Sequence, residues 1–106
     1  LLARVELTPN PFTPNGDGIN DEAVLRYSLL SLSLARPVEI AIHDLAGRLV
    51  RVLYQGLEAN GRYEDKTWDG RDGQGSLVAP GIYIVRIEAR GDAHTHTQTR
   101  LLSLVY

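Results

Sequence analysis

The side-chain oxygens of Asn15, Asp17, Asn20 and Asp21 form the densest set of ligand-capable groups in the chain. They sit in Asn10-Pro11-Phe12-Thr13-Pro14-Asn15-Gly16-Asp17-Gly18-Ile19-Asn20-Asp21, where two prolines and two glycines make the backbone stiff and convoluted. Calcium takes about six to eight oxygens at roughly 2.3–2.6 Å from loops of this composition. An EF-hand loop needs acidic or amide side chains at its first, third and fifth positions. Asn15 and Asp17 meet the first two, but Ile19 occupies the third and no helix flanks the loop. Two readings follow. The loop is a looser calcium site held by Asn15, Asp17, Asn20 and Asp21, or it is a turn whose Asp17, Asn20 and Asp21 side chains bind backbone N–H groups.

Other residues offer less chemistry. Asp69 and Asp72 lie in Asp69-Gly70-Arg71-Asp72-Gly73-Gln74-Gly75, as ligands or as the starts of two Asp-Gly turns. His94 and His96, two apart, share one face of a strand and could bind zinc or copper if His43 approaches; a solvent-facing edge strand also explains them. Trp68, with Tyr63 or Tyr54, could stack on sugar rings, or it fills the core as the only tryptophan of a sandwich. No Gly-x-Ser-x-Gly elbow, phosphate-binding glycine loop or His-Glu-x-x-His is present. Nothing in the chain suggests catalysis, and no enzyme is expected.

Composition narrows the classes further. A chain of 106 residues is expected to be one domain, 1–106, burying roughly two-thirds of its unfolded surface. Eleven basic and thirteen acidic residues give a net charge of −2, too balanced for a nucleic-acid partner or an electrostatic membrane anchor. The absence of cysteine excludes disulfides and thiolate chemistry but leaves the compartment open. No apolar run approaches the ~20 residues of a membrane span. The chain opens on Leu1 with neither a Met nor a signal-like segment, so the expectation is a module of a longer secreted protein, its C-terminal one.

The elements that must position these residues are strands. Ala3, Val5 and Leu7 alternate with Arg4, Glu6 and Thr8. The same period of two runs through Ala23–Leu29, Val38–His43 and Tyr83–Arg90. Arg48 to Tyr54 is β-branched and strand-like, with an ambiguous buried face. Tyr63 to Trp68 is more polar, and His94 to Tyr106 is Thr-rich and then apolar. Asp44-Leu45-Ala46-Gly47, Asn60-Gly61, Pro80-Gly81 and Arg90-Gly91-Asp92 mark turns. Leu30 to Arg36 is a linker suited to a short helical turn. The pattern predicts an all-β, immunoglobulin/fibronectin III-like antiparallel β-sandwich of about seven strands. Its long Thr-rich last strand has an edge able to pair with another chain.

The ordered set Phe12–Asp21, Val38–Val50, Trp68–Gly75 and Val78–Tyr83 resembles the FlgD-type immunoglobulin-like domain. The opening loop is similar to that of gliding-motility-associated C-terminal domains, although the ending Leu101-Leu102-Ser103-Leu104-Val105-Tyr106 lacks their Lys-rich last strand. The resemblance implies a non-catalytic structural or interaction module of a bacterial secreted or cell-surface protein. Its role would be attachment, sorting or assembly, including assembly into a filament or cap. Its partners would be other domains of the same protein or copies of itself. The alternative is a carbohydrate-binding accessory module of a secreted enzyme, with a glycan as ligand.

Overall fold

Each alternating run becomes a strand, because one face of every run can be buried only against a second layer. In the computed structural model, which describes residues 2–16, 18, 21–91 and 94–106, seven strands follow one another. They are β1 (Leu2–Thr8), β2 (Ala23–Leu29), β3 (Arg36–Asp44), β4 (Leu49–Glu58), β5 (Gly61–Trp68), β6 (Gly81–Arg90) and β7 (Thr95–Leu104). A three-stranded sheet in the order β1-β2-β5 faces a four-stranded sheet in the order β4-β3-β6-β7, with all ladders antiparallel. The expected immunoglobulin/fibronectin III-like sandwich is therefore present.

The core is the set of inward positions: Ala23, Leu25, Tyr27 and Leu29 on β2; Val38, Ile40 and Ile42 on β3; Tyr83, Val85, Ile87 and Ala89 on β6. Phe12, Trp68, Leu102 and Leu104 close one end. Trp68 is 1% exposed, its ring 5.5 Å from Phe12 and 5.4 Å from Tyr83. Its indole N–H donates to the Arg71 carbonyl at 2.8 Å, so the polar end of the ring is also satisfied. The tryptophan is a core residue, and no sugar platform exists on it.

The ambiguous face of the fourth run has a physical cause. The β3–β4 ladder slips twice: Ile40 pairs with Tyr54 but Ala41 with Val52, and Ile42 pairs with Arg51 but His43 with Leu49. Each slip places an extra residue on β4, so period two breaks there. Leu53 and Val50, the extra residues, pack against the core.

Two asparagines act as strand neighbours. Asn60 Oδ1 accepts from Leu32 N at 2.9 Å, and its Nδ2 donates to Leu32 O at 3.0 Å. That clamp holds the 30–35 segment as bends, and the helical turn expected over Leu30 to Arg36 does not form. Likewise Asn10 Oδ1 accepts from Ser103 N at 2.9 Å, and its Nδ2 donates to Leu101 O at 2.9 Å. Phe12 continues this pairing, with Phe12 N donating to Ser103 O and Val105 N to Phe12 O, both at 3.0 Å. The β3–β4 turn closes as expected, Gly47 having φ 85°. Gly91 N bonds His94 O at 2.8 Å across the last turn, whose Asp92 lies outside the described residues.

Gly70 is the glycine the packing needs. Its φ is 80°, and a Cβ there would meet Pro14 Cγ at 2.9 Å and Leu104 Cδ1 at 3.1 Å. Gly70→Ala should destabilise the fold by about 2–4 kcal/mol, combining a left-handed backbone with overpacking. Urea unfolding of the two chains measures it.

Candidate functional site

The acidic turns cluster at one end of the sandwich, and their geometry states what each carboxylate does. Asp21 Oδ1 accepts from Gly16 N at 3.0 Å and Oδ2 from Gly18 N at 2.8 Å, so both oxygens fasten the opening loop. The Asn15 backbone N–H donates to Thr13 O at 2.8 Å. Asp17 and Asn20, the other two expected calcium ligands, lie outside the described residues. Asp69 Oδ1 accepts from Arg71 N and from Arg51 Nη1, each at 3.1 Å. Asp72 Oδ1 accepts from Gln74 N at 2.9 Å and Ser76 N at 3.0 Å. Both are turn-forming aspartates of the kind expected from Asp-Gly loops. Asp21, Glu22, Asp69 and Arg71 line a shallow cleft of about 380 Å³ with Pro14, Gly16 and Leu77.

Asp44 shows the same use most fully. Its Oδ1 accepts from Ala46 N at 3.0 Å and Arg48 N at 2.9 Å, while Oδ2 accepts from Arg48 Nε at 3.1 Å. The Arg48 amide, and then the Arg48 charge, hold the Asp44 carboxyl below the usual carboxylate range. Asp44, Arg48, Asp72, Val78 and Tyr83 line an open cleft of about 480 Å³ beside this hairpin. Tyr83 Oη donates to Ala79 O at 2.5 Å, tying the cleft floor to the strand entry.

The histidines do not converge. His94 and His96 are exposed. His43 is level with Ile84 and hence with Leu101, five residues along β7 from His96, or about 16 Å at strand spacing. Among the described residues, no three His, Asp or Glu side chains gather as a metal cluster.

A constellation that the sequence analysis does not single out sits between the sheets. Lys66 on β5 and Glu58 on β4 are buried, with Lys66 Nζ donating to Glu58 Oε2 at 2.8 Å and to Asp65 Oδ1 at 2.7 Å. Tyr27 Oη on β2 donates to Glu58 Oε1. The ammonium lies 4.3 Å from the Tyr54 ring centroid, 5.1 Å from Tyr63 and 5.7 Å from Tyr27. Burial, reinforced by Glu58, pushes the Tyr27 phenol far above its usual value. Burial pulls the Lys66 ammonium down, but bonds from Asp65 and Glu58 outweigh it and raise the group. Asp65 is lowered, first by its bond from Lys66. All buried side-chain polar atoms among the described residues have a partner. The signal in the sequence was Lys66 two positions before Trp68, on the inward side of β5.

The profile of the FlgD Ig-like domain matches residues 21–93, more than half of the chain. The chain belongs to the FlgD Ig-like domain family. This family match leaves the opening loop, 10–20, outside its span. Among solved structures, dimeric latent PorU from Porphyromonas gingivalis is similar over 95% of this chain, with TM-score 0.69 and 19% identity. PorZ, an essential bacterial surface component of the type-IX secretion system of the same organism, is similar over 96%, with TM-score 0.56 and 22% identity. FlgD from P. aeruginosa is similar over 74%, with TM-score 0.55 and 25% identity. The chain spans 9% of PorU, 11% of PorZ and 60% of FlgD. No curated protein matches it in sequence.

Two predictions follow from the charges. Lys66→Ala should cost about 3–5 kcal/mol, because Glu58 is left buried without its cation. Lys66→Met with Glu58→Gln should recover most of that loss; chemical denaturation of both variants measures it. Asp44 has a folded-state value below its ordinary 3.8. Its carboxylate therefore stabilises the fold above that pH, and the contribution is lost as pH falls through the lowered value. Asp44→Asn should flatten the acid limb of melting temperature against pH, read by thermal melts from about pH 7 to about pH 2.

Proposed function

We propose that this chain is a non-catalytic structural module of a bacterial secreted or cell-surface protein, and that it works by attachment to neighbouring domains. The observation that carries the reading is a row on the outer face of the four-stranded sheet that is apolar except at His43. Leu49 pairs with His43, His43 with Ile84, and Ile84 with Leu101, so one row crosses all four strands. Leu49 is 59% exposed and Leu101 60%, and Val52 and Ile82 beside them are 45% and 44% exposed. Exposed apolar side chains gathered on one sheet face offer a surface for contact.

The aspartates support the same reading from the opposite side. Asp21, Asp44, Asp69 and Asp72 are engaged in holding turns, a structural use. Likeness to portions of PorU and PorZ supports a place in a large extracellular or surface protein, with sorting or assembly as the wider role. Calcium at Asn15, Asp17, Asn20 and Asp21 belongs to the proposal as a loop stabiliser. Calorimetry with millimolar calcium tests it: heat and a raised melting temperature support it, and the absence of both removes it.

Hydroxyl-radical footprinting of the full gene product, set against the 106-residue chain, tests the attachment. Leu49, Ile82 and Leu101 should be protected in the full product. Equal labelling in both would contradict the proposal.

A further inference from the structure

The sandwich has four edge strands, and three of them are guarded by irregularity. On β1 the ladder slips between Ala3 and Glu6, where Arg4 has φ 53°. On β5 it slips opposite Leu25 and Tyr27, and on β4 it slips twice. Each extra residue lies on the edge strand itself, and a bulge there twists the edge away from any incoming strand. The β6–β7 ladder has no slip: it runs ten residues in one register, from Gly81 opposite Leu104 to Arg90 opposite Thr95.

Part of the β7 edge is already occupied. Asn10 takes Leu101 O and Ser103 N, and Phe12 takes Ser103 O and Val105 N. Those bonds identify the odd-numbered residues as the ones whose backbone groups point outward. By period two, Thr95, Thr97 and Thr99 present theirs the same way. Among the described residues these outward groups meet no backbone partner; Thr99 O accepts only the neighbouring Arg100 guanidinium, at 2.8 Å. The open stretch begins where β7 begins, at Thr95, and ends where Asn10 takes over, at Leu101. Its midpoint is Thr97.

Resting on the reading of the chain as an associating module, we infer that Thr95–Thr99 is a self-pairing edge through which two copies join their four-stranded sheets, antiparallel about Thr97. The surface is its own complement. Thr97 meets Thr97, and Thr95 meets Thr99, each pair exchanging two backbone hydrogen bonds across β-branched side chains. On the other face His96 meets Gln98, and Arg100 lies beside His94 only at the two ends, in solvent. The two-fold axis keeps the rest of each copy clear. Gln98 Nε2 donates to Leu2 O at 3.1 Å, so β1 starts over the Gln98 half of β7, and the axis carries the partner's β1 to the opposite side. An isologous contact consumes both edges and closes at a dimer rather than a fibre. A strand edge alone is a small interface, so association is reversible and concentration-dependent.

Sedimentation velocity of the 106-residue chain tests this from about 10 µM to about 1 mM, spanning the weak end of protein affinities. The mass should rise towards double, with amide exchange slowing at Thr95, Thr97 and Thr99. Thr97→Pro removes an outward N–H that the intrachain ladder does not use, and should hold the chain monomeric at an unchanged melting temperature. Thr95→Lys with Thr99→Lys, which sets like charges opposite each other on exposed positions, should do the same. A monomer throughout, or association undiminished in a folded variant, overturns the inference. Either result leaves attachment through the Leu49–Leu101 row standing, because that row lies on the sheet's face and is read by footprinting, whereas the pairing uses the strand's edge.

Discussion

The ammonium of Lys66 is the group that the two sheets must close around. It projects from β5 of the three-stranded sheet and finds its buried counter-charge, Glu58, on β4 of the four-stranded sheet. Neither charge could be buried alone without losing several kcal/mol of hydration. Together they are tolerated only if every remaining donor and acceptor is met. Tyr27 meets the second Glu58 oxygen, Asp65 shares the ammonium, and three tyrosine rings surround it. The node thus specifies how β4 lies against β5, which hydrophobic burial, being non-directional, does not do. At the other end Phe12, Trp68 and Tyr83 provide the apolar counterpart.

With the sheets so aligned, the polar loops serve the fold. Aspartates at Asp21, Asp44 and Asp72 each gather two or more loop amides, replacing water at groups that a turn leaves unpaired. Asn10 and Asn60 do for edges and linkers what the aspartates do for turns. Part of the exposed apolar surface, at Leu49, Val52, Ile82 and Leu101, lies on the outer face of the four-stranded sheet.

Much of this was legible from local pattern. Period-two alternation located β2, β3 and β6, and Gly47 marked the β3–β4 turn, because burial of one face and left-handed turn geometry are local demands on sequence. The ordered motifs around Phe12, Asp44 and Trp68 pointed to the family. What local pattern could not show was long-range. The two slips of β4 decide which of its residues face inward, and they arise from pairing with β3. The Lys66–Glu58 bridge joins strands of different sheets, and its one local hint is Lys66 lying two residues before Trp68. The helical turn over Leu30–Arg36 failed for a similar reason, since Asn60, far along the chain, holds Leu32 from both sides. Of the four expected calcium ligands, Asp21 is a turn cap, the other role that its sequence context offers.

The burial of Lys66 is best tested by observing its ammonium directly. In ¹⁵N-detected NMR of the folded chain near neutral pH, the account predicts a slowly exchanging Lys66 resonance, with its protons close to the Tyr54 and Tyr63 rings. Exchange as fast as that of solvated lysines, with no ring contacts, would contradict it.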